Sequence, residues 1–198
     1  AGVSNFETIV LASNAAHSLA INDANVLAGE AMTIDASIVT ASAVTVDASA
    51  ETDGAVQYTG GGGIDTLTVN APMFAGFFTA TGTGATLTGG AGADELVINS
   101  DVGGATLTAT QLQNVTGFET WTLANDETFN ITLHDNNTAA GETLTIEGVA
   151  LATSALTIDG SAETDGELII KGGSANDTLT GGDGDDRLIG GDGADTLD

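Results

Sequence analysis

From Gly172 to Asp198 the chain repeats one nine-residue pattern three times. Gly172-Gly-Ser-Ala-Asn-Asp-Thr-Leu-Thr leads into Gly181-Gly-Asp-Gly-Asp-Asp-Arg-Leu-Ile, and that into Gly190-Gly-Asp-Gly-Ala-Asp-Thr-Leu-Asp. Each reads G-G-x-G-x-D-x-U-x with U apolar, except that Ala175 replaces a glycine in the first copy. Single copies stand at Gly60 to Thr68 and at Gly89 to Val97. Glycines open turn conformations closed to other residues and leave their carbonyls bare. The aspartate adds a hard anionic oxygen, and the apolar residue points inward from a short strand. Stacked turns of this kind gather carbonyls and carboxylates of adjacent loops around a common point. Calcium, which takes about six to eight oxygens in flexible geometry, suits such ligands better than magnesium with its strict octahedron.

Two longer periods surround this one. Phe6 to Thr68 matches Phe118 to Thr180 without a gap, at an offset of 112 residues and with 28 of 63 positions identical. The shared stretches include Phe-Glu-Thr and Ser-Ala-Glu-Thr-Asp-Gly (Ser49 to Gly54, Ser161 to Gly166). Gap-free similarity of this length marks a duplicated structural unit. It divides the chain into 1–116, a first solenoid unit with isolated glycine-aspartate loops, and 117–198, a second unit ending in the tandem loops.

Inside each unit, apolar pairs recur every twelve residues: Met32/Ile34, Val44/Val46 and Val56/Tyr58, then Leu144/Ile146, Leu156/Ile158 and Leu168/Ile170. Alternation with Thr marks half-buried strands, and even spacing marks the rungs of a coil. The expected fold is all-β: a right-handed parallel β-solenoid built from a tandem duplication of about 112 residues and closing in a β-roll. Ala71 to Gly84 breaks the pattern and is expected to be an irregular connection.

Charge narrows the function. Lys171 and Arg187 are the only strongly basic residues against 28 Asp and Glu, a formal charge of -26. Nucleic acid and anionic membrane surfaces are excluded as partners, since nothing here neutralises phosphates. No apolar run is long enough for membrane insertion. The surface attracts cations instead. With no cysteine and 41% apolar residues, the chain is expected to be stapled by metal and loose without it. Its start at Ala1 and its stop inside a repeat suggest a piece of a longer protein.

Competing chemistries lack their residues. The glycine runs hold Asp and Leu in nine-residue register, unlike linkers, and no Gly-Lys-Ser/Thr follows them as in a phosphate loop. There is no HExxH zinc motif and no G-x-S-x-G elbow, so no enzyme is expected. His17 aligns with Phe129 and His134 with Asn22 in the duplication, which makes them surface or packing residues. Phe6, Phe118 and Trp121 read as core. Asp23, Asp35, Asp47, Asp135, Glu147 and Asp159 read first as turn residues, with a second column of calcium sites along the coil as the alternative. The acidic turns Glu51/Asp53 and Glu163/Asp165 are the better secondary metal candidates.

The nonapeptide resembles the signature of the RTX family of calcium-binding proteins. The resemblance implies a parallel β-roll with two nonapeptides per turn, and calcium ions held between loops two repeats apart. Carried onto this chain, one site joins the Gly172 loop to the Gly190 loop. Asp177 and Asp195 would give carboxylates there, and Gly172, Ser174, Gly191 and Gly193 carbonyls. Gly181, Asp183 and Asp186 would serve a site whose second loop lies beyond Asp198. Asp65 and Asp94 are 29 residues apart (94 − 65), no multiple of the 18-residue turn, which leaves their pairing open. RTX proteins use type I secretion. Among them, the Ala/Thr/Gly-rich, cysteine-free composition and the "GFET" opening look like surface-layer proteins of Gram-negative bacteria. The expectation is therefore an extracellular, self-associating structural module at the bacterial cell surface. The alternatives are an adhesin stalk, or the RTX tail of a secreted protease or lipase.

Overall fold

The structure, a computed structural model, describes residues 7–76, 86–101 and 103–198. Strands form where Thr alternates with Val, Leu or Ile, because successive side chains leave opposite faces of a pleated strand. The first unit gives β1 (Thr8–Val10), β2 (His17–Asn22), β3 (Ala31–Asp35), β4 (Val44–Ala50), β5 (Ala55–Thr59) and β6 (Thr66–Asn70). A linking stretch follows: helix α1 (Pro72–Gly76), β7 (Leu87–Thr88), β8 (Glu95–Asn99), β9 (Ala105–Leu107), helix α2 (Ala109–Leu112) and β10 (Val115–Thr116). The second unit gives β11 (Thr120–Leu123), β12 (Phe129–Thr132), β13 (Thr143–Glu147), β14 (Leu156–Asp159), β15 (Glu167–Lys171) and β16 (Thr178–Thr180). The tandem loops then carry β17 (Arg187–Ile189) and β18 (Thr196–Leu197).

Among the described residues every strand pair is parallel. An eight-stranded sheet, β17-β15-β13-β11-β8-β6-β4-β2, runs the length of a β-solenoid of about six turns. Two five-stranded sheets, β1-β3-β5-β7-β10 and β18-β16-β14-β12-β9, alternate with it along the chain. The expected all-β solenoid is what forms.

In-register stacking puts like over like. Val46, Leu67, Leu96, Trp121, Ile146 and Ile170 are successive partners in the long sheet, all with no exposure. Each such side chain contributes about 1.5–3 kcal/mol by leaving water. The six apolar pairs read from the sequence are all core, none more than 2% exposed, and both units share one hydrophobic cluster. Phe118 and Trp121 are buried as expected, whereas Phe6 lies outside the described residues. The break at Ala71 begins with α1, which buries Met73 and Phe74; Phe77 and Phe78 also lie outside the described residues. No helix among the described residues is long and apolar enough to cross a membrane.

The duplicated units match strand for strand but not sheet for sheet. β1, β3 and β5 belong to the first short sheet, whereas their counterparts β11, β13 and β15 lie in the long one. β2, β4 and β6 lie in the long sheet, and β12, β14 and β16 in the other short one. Between β8 and β11 the chain visits both short sheets in succession, through β9 and β10. That single three-strand turn shifts the second copy one sheet around the coil.

Candidate calcium-binding loops

Residues 172–177 join β15 to β16 and residues 190–195 join β17 to β18, both leaving the long sheet at the same edge. Residues 181–186 return from β16 to β17. Leu188 pairs with Ile170 and Leu197 with Leu179, each 18 residues on (188 − 170, 197 − 179). Two nonapeptides therefore complete a turn, and the first and third loops stack directly.

The contact between those loops explains their glycines. A Cβ on Gly191 would fall 2.1 Å from the Gly173 carbonyl oxygen, and one on Gly193 2.3 Å from that of Ala175. Both glycines also hold positive φ, at 101° and 120°, where a side chain is strained. Main-chain bonds lock the stack: Gly172 N–H to the Ile189 carbonyl at 2.7 Å, and Thr196 N–H to that of Asp177 at 2.8 Å. Ala194 N–H donates to Asn176 Oδ1 at 2.8 Å.

Asp177 is 1% exposed and works as a bracket. Its Oδ2 accepts from Gly173 N–H at 2.7 Å within its own loop, and its Oδ1 accepts from Leu156 N–H at 2.8 Å on the rung before. Asp177 N–H in turn donates to Asp195 Oδ1 at 3.0 Å. Asp186 repeats the arrangement at the other edge, accepting from Gly182 N–H at 2.7 Å and Leu168 N–H at 2.8 Å. Carboxylate oxygens carry two lone pairs each, so these bonds orient the groups and leave acceptor capacity for a cation. Ser174 and Asp183 are exposed, Gly172 and Gly190 are buried, and Gly181 is half-buried.

Two placements go beyond the sequence reading. Asp183 N–H donates to the Glu163 carbonyl at 2.8 Å, and Gly182 packs on the same carbonyl. The 181–186 loop thus already has a stacking partner inside the chain, the turn at 160–166, besides any loop beyond Asp198. The isolated loops at 60–65 and 89–94 also stack, although 29 residues separate them. Asp65 N–H donates to Asp94 Oδ1 at 2.7 Å, and Ala91 N–H to the Gly61 carbonyl at 2.8 Å. That turn carries α1, and the edge keeps its register (Thr66 opposite Glu95).

Asp65 and Asp94 are both buried. Asp65 accepts from Val44 N–H at 2.8 Å, Gly61 N–H at 2.9 Å and the Tyr58 hydroxyl at 3.3 Å. Burial and the Asp65 carboxylate push the Tyr58 hydroxyl well above its usual range. Asp94 Oδ2 is buried with no hydrogen-bond partner. Burial, with the Asp65 and Glu119 charges adding to it, pushes Asp94 up to about 6. Glu119 stands in the same column, its Oε2 accepting from Asp94 N–H at 2.7 Å. Sequence reasoning missed Glu119, because the column continues without the nonapeptide around it. Its place directly before β11, as Asp65 and Asp94 precede β6 and β8, was the available signal.

The other acidic positions divide. Asp35, Asp47 and Asp159 accept from the N–H two residues on (Ser37, Ser49, Ser161), the turn role read from the sequence. Glu147 pairs instead with Lys171 across adjacent strands. Asp23 and Asp135 reach across to another turn (Thr52, Thr164). His17 bonds to Ser13, and His134 Nδ1 accepts from Asn136 N–H.

Oxygen-only donors, glycine cradles lined by carbonyls, and a buried carboxylate oxygen lacking a donor fit a hard divalent cation. From 172 to 198 the chain carries seven Asp against Arg187 alone, which leaves most of that charge unbalanced within the segment. A family model described as RTX calcium-binding nonapeptide repeat (4 copies) matches residues 169–198. Neither the curated proteins nor the solved structures gave a match. Residues 169–198 of this chain are RTX calcium-binding nonapeptide repeats.

Proposed function

We propose that the chain is a calcium-dependent, non-catalytic structural module of a secreted bacterial surface-layer or extracellular matrix protein. The observation that carries it is the direct stacking of the 172–177 and 190–195 loops, with Asp177 and Asp195 in contact. Ions held between them would be shared by successive rungs, so each ion bound fixes the next turn. Calcium binds the folded chain only, and its binding energy becomes folding energy. Without it the acidic surface opposes compaction, which suits passage through a type I secretion channel. Extracellular modules bind calcium at roughly 10⁻⁴ to 10⁻³ M, so the fold would switch on outside the cell.

A stalk in an adhesin is the second reading, favoured by the duplication, whose copies join in one core rather than two separate bodies. Size-exclusion chromatography with light scattering, in calcium and with magnesium as control, separates the two. Calcium-driven large assemblies support the surface-layer reading. A compact calcium-loaded monomer overturns it in favour of the stalk.

A further inference from the structure

Outside the nonapeptides, the structure places three carboxylates together twice. Asp23, Glu51 and Asp53 form one cluster, and Asp135, Glu163 and Asp165 the other; in each, one oxygen from every residue lies within 4.8 Å of the others. The clusters are copies of each other at the duplication offset (135 − 23 = 163 − 51 = 165 − 53 = 112). Because the second unit is shifted by one sheet, they lie at different edges of the coil, in the turns β4–β5 and β14–β15.

At the centre of each is a buried glutamate, Glu51 with no exposure and Glu163 with 1%. One oxygen is held by main-chain donors: Glu51 Oε1 by Gly54 N–H at 2.7 Å, Glu163 Oε1 by Gly166 N–H at 2.9 Å. The other oxygen, Oε2, is buried without a hydrogen-bond partner in both. Leaving a buried charged oxygen unpaired costs more than almost any other local defect. The same defect recurs in both copies, where fewer than half of the compared positions are identical yet Asp23, Glu51, Thr52, Asp53 and Gly54 all repeat. Burial, and then the Asp23 and Asp53 charges, hold the Glu51 carboxyl above its usual range, as expected for a group that lacks its counter-ion.

The surroundings are built around that oxygen. Asp23 Oδ1 accepts from Thr52 N–H at 2.9 Å and Asp135 Oδ1 from Thr164 N–H at 3.0 Å, each bond joining two rungs. The carbonyls of Asp53 and Asp165 accept from Gly29 and Gly141 N–H at 3.0 and 2.9 Å. Asp53 and Asp165 are exposed, which opens each cluster to solvent. Among the described residues neither Lys171, which pairs with Glu147, nor Arg187 forms an ion pair with either cluster.

We propose that each cluster is a divalent-cation site, separate from the nonapeptide loops, and that the duplication therefore carries a matched pair of calcium staples. All side-chain donors are carboxylate oxygens, with no histidine or cysteine, which selects calcium over zinc. The ion would tie the Asp23 turn to the Glu51 turn, and the Asp135 turn to the Glu163 turn.

The test is calcium stoichiometry of the full chain by equilibrium dialysis, with folding checked by circular dichroism. Glu51→Gln combined with Glu163→Gln is expected to bind two fewer ions per chain. Asp53→Asn combined with Asp165→Asn is the companion variant, since those exposed side chains bracket no loop. It should stay folded and weaken two ions at least tenfold. Unchanged stoichiometry and affinity in the folded companion variant would overturn the proposal. Asp177→Ala tests the nonapeptide loops separately. Ions lost from the glutamate pair but none from Asp177→Ala would sink the nonapeptide reading and leave this one standing.

Discussion

Asp65 donates its backbone N–H to Asp94 Oδ1 at 2.7 Å, across one turn of the coil and 29 residues of chain. The same link joins Asp94 to Glu119 and, in the tandem repeats, Asp177 to Asp195. A carboxylate at the mouth of one strand thus takes up the N–H of the residue that leads into the strand stacked on it. The aspartate of the nonapeptide is a ligand candidate and also an end-cap for a parallel ladder whose outermost donors would otherwise lack acceptors.

Asp177 shows how much that cap is worth. Replacing it with Ala strands the buried N–H groups of Leu156 and Gly173. At about 1–3 kcal/mol per orphaned group, losing both partners in Asp177→Ala should cost about 2–6 kcal/mol. Urea unfolding measures it, and a loss under about 0.5 kcal/mol, the size of a neutral surface change, would refute the capping role.

Two glycines with positive φ should respond differently to alanine. Gly191→Ala meets both a strained φ and the Gly173 carbonyl, whereas Gly141, at φ 76°, has open space where the Cβ would stand. Gly141→Ala should cost about 1 kcal/mol, the strain alone. Gly191→Ala should cost more and loosen the last rung, read as faster amide exchange at Asp192 and Thr196. Equal effects at both sites would contradict the close stacking of the loops.

The calcium-free chain should lose stability as pH rises through about 6. Burial lifts Asp94 from 3.8 to about 6, so in this range the fold holds its proton more tightly than the unfolded chain does. The contribution is complete below about pH 4 and is lost as pH rises through the folded value. Self-repulsion of the other carboxylates acts in the same direction, so the measurement is a difference. In chelator, Asp94→Asn should lose less β-structure by circular dichroism than the parent as pH rises from 4.5 to 7. Parallel losses would remove Asp94 from the account.

Trp121 fills the long sheet's core between Leu96 and Ile146, with no exposure. Trp121→Ala should cost about 3–5 kcal/mol, and because both units share that core, both should loosen together. Amide exchange confined to residues near 121 would instead make the units independent.

What the sequence revealed depended on period. Leu144/Ile146 and Leu168/Ile170 alternate cleanly at constant spacing, so their burial and their parallel pairing were legible before any coordinates. The Gly172 and Gly190 loops belong to a nine-residue repeat, and its resemblance to the RTX signature, with two repeats per turn, implied their stacking. The Asp65–Asp94 contact was illegible because the turn between them carries α1, and spacing in sequence stops measuring height along the coil once a rung gains an excursion. The shift of the second unit by one sheet was hidden for a related reason. It depends on β9 and β10, short strands whose sequences do not announce which wall they join. Asp23 reads like Asp35 in sequence, each beside a strand, and only the coil shows that Asp23 reaches another rung.

The most direct test of the account is a calcium titration of the chelated chain, followed by far-ultraviolet circular dichroism and hydrodynamic radius, with magnesium at equal concentration as control. The account predicts an expanded chain that gains β-structure and compacts cooperatively as calcium reaches roughly 10⁻⁴ to 10⁻³ M, with magnesium far less effective. A chain that is equally compact and equally β-rich in chelator and in calcium would contradict it.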